Sequence, residues 1–566
     1  MEKAFKDYEY HRPLLEKVEA EFNRLLQEFT TARSFAAQDA AMQQINALRN
    51  EFASMASLVT IRHAIDTTDP FYEAENDYFD EVSPAYEGLV FRYYQALVQS
   101  ENRPQLEEKW GRQLFRIAET HLKTFAPEII PDLQTENKLA SQYTKLRASA
   151  RIPFAGEERN LAQMGPFMEA KEQTVRREAH EAYTSFFAAH EGQFDEIYDQ
   201  LVKVRDKIAR KLGFENFVDL GYARLSRTDY NAAMVAGYRR QIHEHIVPLA
   251  VSLRKQQAGR LGLATLKYYD EPLTFPTGNA VPKGGPEWII ERGQRMYDEL
   301  SPETGEFFTY MAEKELFDLL AKKGKAGGGF ATYIPKFQSP FIFANFNGTS
   351  GDIDVLTHEF GHAFQVYSSR DFAVPEYLWP TLEACEIHSM SMEFLTWPWM
   401  RLFFGEDEGK YKFAHLSGAI LFIPYGAAVD EFQHWVYEHP EATAEERKRA
   451  WRAIEEKYLP HRDYEGNDLL QRGGYWFRQG HIFTSPFYYI DYTLAQVCAL
   501  QFWQKANTGR EKAWQDYLRL CRAGGSKPFL ELVALANLNN PFTGGTLEAI
   551  VPPVREWLHA HAGEFQ

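Results

Sequence analysis

The sequence predicts a mostly α-helical protein that contains one small β-sheet. Along most of the chain, apolar residues recur every three or four positions, which is the period of an amphipathic helix. Residues 327–352 instead contain short aromatic and β-branched runs bounded by Pro and Gly, a pattern typical of short strands. The 566 residues are enough to bury a large core and to shape a deep cavity inside it.

The first 150 residues are predicted to be helical. The segment "PLLEKVEAEFNRLLQEF" places its apolar residues on one stripe, formed by Leu14, Leu15, Val18, Phe22, Leu25, Leu26 and Phe29. Further segments of the same period follow, separated by breaks that contain Pro, Gly or Asn. We therefore assign residues 1–150 to an N-terminal helical region and residues 151–566 to a second region.

The second region begins with a short extended piece, "RIPFAGEERNLAQM", and continues with long amphipathic helices. Residues 270–288 are rich in Pro and Gly and are predicted to form a loop, either a mobile flap or a simple connector. Residues 327–352 are predicted to form two or three strands, directly before the helical segment "IDVLTHEFGHAFQVYSS". Helices dominate again from there to the C-terminus.

Composition excludes several classes of partner. The net charge is −17, and both nucleic acid and anionic membranes need clustered Lys and Arg, so we expect neither as a partner. The three cysteines, Cys385, Cys498 and Cys521, lack the spacing of a disulfide framework or a structural zinc site and fit a reducing compartment. No signal peptide and no apolar run near ~18 residues is evident, so we expect a cytoplasmic protein without a membrane span.

The segment "HEFGH" is the strongest candidate for chemistry. Residues four apart lie on one face of a helix, so His358 and His362 can reach a single ion. Zn²⁺ accepts imidazole nitrogen, and catalytic zinc sites use three protein ligands and a water. Glu359 points about 100° away around the helix, where it can take a proton from a zinc-bound water without binding the metal.

Pattern alone leaves two interpretations of this helix open. Either the helix binds zinc, or it carries two histidines whose ring nitrogens form hydrogen bonds with neighbouring carboxylates. The helix is apolar on most sides, and buried histidines and carboxylates need partners, which favours the metal. Gly361 destabilises the helix by about 1 kcal/mol relative to Ala. Close packing of this position against another backbone would explain why a glycine is tolerated there.

A third ligand is predicted downstream, in "WPTLEACEIHSMSMEFLTWPW". We expect Pro380 in the first turn of a helix that Pro398 ends, carrying Glu383, Glu386 and Glu393. Glu386 would complete a His₂Glu site. Carboxylates on a buried face need a cation or hydrogen-bond donors, and the other two glutamates are otherwise explained by hydrogen bonding or surface exposure.

Two neighbours of these residues have roles that the sequence leaves open. Asp354 lies four residues before His358. It either orients that imidazole or stabilises the helix by placing a negative charge near the helix N-terminus. Cys385 is adjacent to Glu386, but a neighbouring position on a helix points about 100° away, so we expect it to pack rather than to bind metal.

"HEFGHAFQVYSS" followed by "EACEIHSMSMEF" resembles the M3 family of zinc metallopeptidases, and within it the bacterial oligoendopeptidase F branch. Four further segments resemble that family in the same order, from about residue 150 to the C-terminus: "TVRREAHEAY", "RDKIARKLGFENFVDLGY", "PFIFANFNGTSGDIDVLTHEFGH" and "GHIFTSPFYYIDYTLAQ". The resemblance implies a helical ellipsoid split by a deep substrate channel, with one Zn²⁺ per chain at its floor. It also implies that Glu386, in "EIHS", is the third ligand.

A segment near the C-terminus, "QGHIFTSPFYYIDYTLAQ", contains a histidine and three tyrosines. From the residues alone, an aromatic core with satisfied hydroxyls is favoured over a set of hydrogen-bond donors. The resemblance implies that His481, Tyr489 and Tyr492 contact the substrate and stabilise the transition state. We rank Tyr492 and His481 above Tyr489, and Tyr488 last.

The resulting expectation is a zinc-dependent endopeptidase that hydrolyses short unfolded oligopeptides, as a monomer or a small homo-oligomer. The strand "PFIFANFNG" would pair with the extended substrate as a sheet edge, and part of the 15 % aromatic content would line the channel. Two alternatives remain: a helical zinc carboxypeptidase, for which the sequence identifies no cationic anchor, and a non-catalytic peptide-binding protein of the same fold.

Overall fold

Helices account for 71 % of the computed structural model and strands for 4 %, which confirms the predicted fold class. The structure describes residues 3–565. The N-terminal helices are α1 (Leu15–Thr31), α2 (Phe35–Ile65), α3 (Pro70–Val98), α4 (Arg103–Trp110), α5 (Arg112–His121) and α6 (Ile130–Ala148). The predicted stripe of α1 faces the core, where Val18, Phe22, Leu25 and Phe29 are buried.

Eighteen further α-helices follow in the described part of the chain. They are α7 (Gly165–Met168), α8 (Gln173–Ala189), α9 (Glu191–Lys211), α10 (Phe217–Arg224), α11 (Ala232–Gln241), α12 (Val247–Arg260), α13 (Pro286–Leu300), α14 (Pro302–Glu313), α15 (Gly351–Ser368), α16 (Leu382–Leu395), α17 (Arg401–Phe404), α18 (Glu408–Glu438), α19 (Ala444–Tyr458), α20 (Asp468–Gln471), α21 (Gly480–Thr484), α22 (Tyr489–Ala523), α23 (Phe529–Leu535) and α24 (Thr546–His561).

Within residues 3–565, five short strands form two sheets. β1 (Ile152–Phe154) and β2 (Glu157–Arg159) make an antiparallel pair at the predicted extended piece. The other sheet has the order β3-β5-β4, with β3 (Phe317–Leu320), β4 (Phe330–Ile334) and β5 (Ser339–Phe346). β3 lies before the predicted strand segment and was not expected, because its four residues follow a helix without a clear turn signal.

The prediction that "PFIFANFNG" offers a free sheet edge is wrong. This segment forms β5, the central strand, which pairs with β3 in parallel and with β4 antiparallel. Both of its edges are therefore occupied. The strand at the edge is β4, and of its residues Phe330, Ala331 and Thr332 are half-buried while the last two are buried.

Helices α15, α16 and α22 pack against one another at the centre of the second region. α16 begins at Leu382, two residues later than expected, and ends at Leu395, before Pro398. The approach of α15 to α16 is very close at Gly361. A Cβ atom there would lie 2.7 Å from both the carbonyl oxygen of His388 and the Cα of Ser389. The backbone contact predicted for this glycine is confirmed.

One stretch departs from the expectation that no segment is apolar and long enough to cross a membrane. By length and composition alone, Arg401–Glu438, which contains α17 and α18, is long and apolar enough to cross a membrane, with a mean hydropathy of 1.2 in its most apolar 18 residues. However, 67 % of that window is buried inside the protein, as in a core helix. The burial by other helices accounts for its apolar composition.

Replacing Gly361 by Ala should destabilise the protein although Ala is the better helix former. The added methyl group would overlap the backbone of α16, and we expect the free energy of unfolding to fall by about 1–3 kcal/mol. Thermal unfolding measures this change. The matched control is Gly418→Ala in α18, where a Cβ atom would meet nothing within 4 Å; this change should leave the melting temperature unchanged or raise it. Equal melting temperatures for both variants would contradict the packing argument.

Candidate metal centre

The three predicted ligands come together where α15 faces α16. The Nε2 atoms of His358 and His362 lie 3.1 and 3.3 Å from the same carboxylate oxygen, Oε2 of Glu386. The candidate ligand atoms of the three residues all lie within 4.8 Å of one another. Among the described residues, no other group of three or more His, Cys, Asp or Glu side chains brings its ligand atoms this close together.

The donor set fits zinc. Two imidazole nitrogens and one carboxylate oxygen form a common set of protein ligands at catalytic zinc sites. Ligand atoms about 2.0–2.1 Å from a tetrahedral ion stand about 3.3 Å apart, and the two nitrogen–oxygen distances match this spacing. His358, His362 and Glu386 would hold the ion, with a fourth position left open.

A hydrogen-bond chain fixes the orientation of His358. Its Nδ1 lies 2.7 Å from Oε1 of Glu393, so this nitrogen carries the proton and Nε2 is left with a lone pair for a metal. Glu393 Oε2 is 2.8 Å from Nε2 of His415, whose Nδ1 accepts a hydrogen bond of 3.2 Å from the indole of Trp397. Glu393 is thus hydrogen-bonded, as one of the sequence interpretations allowed, and its partner is the candidate ligand His358.

Charge in this cluster is strongly coupled. Burial opposes ionisation of Glu386, but His362 and His358 lower the pKa of its carboxyl group well below the usual range. Burial also opposes protonation of His358, yet Glu386 and Glu393 raise the pKa of that imidazole well above its ordinary value. Two buried carboxylates around one imidazole call for a cation, and a divalent metal would supply it.

Glu359 lies beside the ligands without binding them. Its side chain is buried, and its Oε2 atom has no hydrogen-bond partner in the protein. Burial raises the pKa of its carboxyl group, while His358 and His362 oppose that shift. A buried carboxylate oxygen without a partner is costly unless a water or substrate group completes it.

Tyr488, which we ranked last among the tyrosines, contacts a ligand directly. Its hydroxyl donates a hydrogen bond to Oε1 of Glu386, the carboxylate oxygen that faces away from the histidines. Its ring stacks on that of Tyr492 at 4.9 Å between centroids. The hydrogen bond pairs two residues 102 positions apart, and the sequence holds no signal for it.

His481 and Tyr492 form the end of a second hydrogen-bond chain. Tyr425 donates to Oε1 of Gln479 at 3.0 Å, which directs the amide nitrogen of Gln479 to Nδ1 of His481 at 2.8 Å. That nitrogen therefore accepts, and Nε2 of His481 donates to the hydroxyl of Tyr492 at 3.1 Å. Burial lowers the pKa of His481 to about 4, so the imidazole is neutral at pH 7. This hydrogen bond does not use the hydroxyl proton of Tyr492, whose hydroxyl also interacts with that of Tyr488.

A cavity of about 520 Å³ adjoins this cluster. His481, Tyr489 and Tyr492 line one side of it, and Glu393 and His415 line another. The structure thus brings the three residues that the resemblance implied to a single cavity next to the candidate ligands. Tyr489 contributes its ring, which meets those of Phe422 and Tyr425 edge-on at 5.7 Å.

Three other residues differ in part from expectation. Asp354 does not orient His358; it accepts a hydrogen bond of 2.6 Å from the hydroxyl of Tyr411. Glu383 is neither exposed nor hydrogen-bonded, since both of its oxygens are buried without a partner, and burial raises its pKa to about 7. Cys385 packs as expected, buried with its Sγ atom 3.4 Å from the carbonyl oxygen of Pro380.

The fold and the ligand set define a helical protein with a His₂Glu centre of the kind found in metallopeptidases. Comparison with known proteins agrees. The family model described as Peptidase M3 N-terminal domain matches residues 5–125, and that described as Peptidase family M3 matches residues 300–552. The chain belongs to peptidase family M3.

Individual relatives support this assignment. The chain is similar to the solved structure of Pz peptidase A with inhibitor 2, at 62 % identity over 98 % of this chain and 99 % of that chain, with a TM-score of 0.98. A structure from Bacillus anthracis str. Ames, described as a candidate oligoendopeptidase F, is 57 % identical over 98 % of both chains, with a TM-score of 0.93.

A curated relative is more distant. The oligoendopeptidase F homolog of Lactococcus lactis subsp. lactis (strain IL1403) is 24 % identical over 390 residues. The matched stretch is 66 % of this chain and spans 61 % of that relative's length.

The hydrogen bond from His358 to Glu393 predicts that Glu393→Gln weakens zinc binding. The isosteric amide keeps the shape of the pocket but removes the charge that holds the imidazole, and loss of such an outer partner typically costs about 10–100-fold in metal affinity. Competition with a chelator measures the zinc dissociation constant. Glu556→Gln, an exposed position on α24, is the matched control and should not change it. Unchanged affinity in the Glu393 variant would remove Glu393 from the metal centre.

Proposed function

We propose that the protein is a zinc-dependent endopeptidase that hydrolyses short unfolded oligopeptides. One observation carries this proposal: the three candidate ligands meet within 4.8 Å beside a buried glutamate oxygen that has no partner. When bound, zinc supplies a Lewis acid that lowers the pKa of a water and polarises the peptide carbonyl. The protein's own groups must then position the substrate and move the protons.

Glu359 is the proposed general base. Its free Oε2 would accept the proton of the attacking water and later deliver it to the leaving amine. The carboxyl group is held near the ligands because it shares α15 with His358 and His362. Burial, which raises its pKa, makes it a better proton acceptor than an exposed glutamate.

Tyr492 is the proposed hydrogen-bond donor to the oxyanion. His481 already donates to its oxygen, so its own hydroxyl proton is available for the negative charge that develops on the carbonyl oxygen. Burial and the nearby Glu386 raise the pKa of Tyr492 well above its ordinary value, which keeps the hydroxyl protonated. His481 acts as a positioning residue in this scheme, and Tyr489 shapes the wall of the cavity.

An extended peptide has a sheet edge to pair with next to Glu359. β4 follows Gly329 directly, and a Cβ atom at Gly329 would lie 3.2 Å from Oε1 of Glu359. The carbonyl oxygen of Tyr333 accepts a hydrogen bond of 3.1 Å from Ser57, so the usable edge is the first three residues of β4. Pairing through the main chain would let the enzyme accept many sequences.

Two alternatives fit the site less well. A zinc carboxypeptidase would need a cationic anchor within one residue of the metal, and no Lys or Arg lines the cavity beside the described ligands. A non-catalytic peptide-binding protein would not require Glu359 beside three intact ligands. We further propose one zinc per chain, a monomer or small homo-oligomer, and a cytoplasmic location, in keeping with three free buried cysteines.

Glu359→Gln should keep zinc and lose turnover. The amide cannot accept a proton, and removal of a general base typically lowers the rate about 10²–10⁴-fold. The assay is cleavage of an internally quenched peptide blocked at both ends, together with the zinc content of each protein. A carboxypeptidase would leave this peptide intact in the wild type. Full turnover of the zinc-loaded variant would show that another group is the base.

Tyr492→Phe should lower kcat about 10²–10³-fold with little change in KM, because the lost donor acts on charge that develops only in the transition state. Tyr489→Phe in the same helix is the matched control and should have a smaller effect. Steady-state kinetics on the blocked peptide separate the two parameters. If the Tyr489 variant shows the larger loss of kcat, the order of the two tyrosines is reversed.

A further inference from the structure

A second cavity, of about 260 Å³, adjoins the cavity at the metal centre. The two share four lining residues: Thr274, Ala414, Gly418 and Phe422. The second cavity is additionally lined by α12 and by the 270–288 loop, including Arg254, Gln257, Arg260 and Glu271. We call it the arginine cavity. The mechanism described above does not use it.

Helix α18 forms the ridge between the two cavities. Residues four apart share a face of a helix, and the row of Phe413, Ser417 and Leu421 faces the arginine cavity. The row of His415 and Ala419 faces the metal centre. The row between them consists of Ala414, Gly418 and Phe422 and borders both cavities.

The middle residue of this shared row, Gly418, has no side chain. Gly418 is exposed, and a Cβ atom built there would meet nothing within 4 Å. Ala414 and Gly418 are small, so little side-chain volume separates the two cavities at this point of α18. The two cavities are contiguous along this row.

Arg260 is a half-buried cation without an acidic partner. Its Nε atom donates to the carbonyl oxygen of Thr274 at 2.8 Å, and its guanidinium lies 5.4 and 5.0 Å from the ring centroids of Phe275 and Phe413. No carboxylate of residues 3–565 is paired with it within 4.0 Å, whereas most buried arginines of the chain have such a partner. Burial alone lowers its pKa. The terminal nitrogens of this guanidinium have no anionic partner in the described chain and border the cavity, where they can meet an anionic ligand.

The remaining charges of the arginine cavity do not neutralise Arg260. Glu271 is held by two other cations, Arg254 at 3.2 Å and Arg462 at 2.8 Å. Its negative charge is thus already compensated. By contrast, the cavity at the metal centre is lined by three carboxylates, Glu169, Asp354 and Glu393, and by no Lys or Arg. The positive charge along the path lies on the arginine side.

We propose that the arginine cavity binds a carboxylate of the substrate peptide through Arg260. The guanidinium is a planar fork that matches a carboxylate with two parallel hydrogen bonds. The peptide would cross α18 at Gly418 and place this carboxylate beyond the metal centre, which orients the chain and favours short substrates. This inference rests on the proposed peptidase function and names a feature of the substrate that the same site selects.

A carboxylate can come from the C-terminus or from an acidic side chain, and three versions of one N-terminally blocked, internally quenched peptide separate these sources. The first has a free C-terminal carboxylate, the second a C-terminal amide, and the third a C-terminal amide with Glu as its last residue. Wild type should show a KM about tenfold lower for the free acid than for the amide, with similar kcat, because the contact is remote from the reacting bond. A similar gain for the Glu-amide peptide would assign the site to acidic side chains as well.

Arg260→Gln should remove this preference, and Arg260→Lys should restore part of it through charge alone. Arg240→Gln is the matched control, because Arg240 is exposed on α11 and lines neither cavity. Gly418→Leu tests the path without changing charge: it should block the crossing and reduce the preference for the free acid. Thermal unfolding verifies that each variant is folded.

The subsite and the peptidase function fail in different ways. If wild type cleaves the acid and both amides with equal kcat/KM, the subsite is refuted and the peptidase function stands. The same holds if the preference persists in a folded Arg260→Gln variant. If no peptide is cleaved, the peptidase function fails, and the affinities of Glu359→Gln for the three peptides, measured by calorimetry, still decide whether Arg260 binds a carboxylate.

Discussion

The arrangement of the site depends on one close contact, that between α15 and α16. Glu386 reaches both histidines with a single oxygen only because the two helix backbones nearly touch at Gly361. Any larger residue at Gly361 would separate the helices and move the carboxylate away from the imidazoles. The cost of a glycine inside a helix, about 1 kcal/mol, is offset by the metal centre that the contact makes possible.

The residues that support the ligands come from helices far apart in sequence. α18 contributes His415, which anchors Glu393, and the start of the α22 segment contributes Tyr488, which bonds to the second oxygen of Glu386. Glu386 is therefore held by a hydrogen bond from a distant part of the chain, and His358 is held through Glu393, which His415 anchors in turn. Because the site is assembled from the core of the second region, the stability of that core and the geometry of the ligands are coupled.

The parts of the site that follow from local periodicity could be predicted from the sequence. His358, Glu359 and His362 lie within two turns of one helix, and the 3.6-residue period alone sets their relative directions. The helical character of the first 150 residues follows from the same period. Glu386 required more, because three glutamates share its helix and only the resemblance to a family distinguished it.

The parts that depend on distant contacts could not be predicted. Sequence spacing suggested Asp354 as the partner of His358, but the packing of α16 places Glu393 there instead. It also suggested "PFIFANFNG" as a free edge, since the presence of β3 on its far side is a tertiary fact. Gln479, which sets the proton positions of His481 and Tyr492, and Arg260, which lacks an acidic partner, have no motif because their roles are defined by which groups surround them.

The distribution of charge explains why one chain with a net charge of −17 can carry both a cation site and an anion site. The carboxylates near the metal centre lower the electrostatic energy of a divalent ion and would repel a substrate carboxylate placed beside them. A peptide with a free C-terminus therefore gains most when its reacting bond lies at the metal and its terminus lies at Arg260. α18 separates the two charges, and its small residues at positions 414 and 418 allow the neutral backbone to pass between them. The two sites thus act on different parts of the same substrate, one on the bond to be cleaved and one on the direction of the chain.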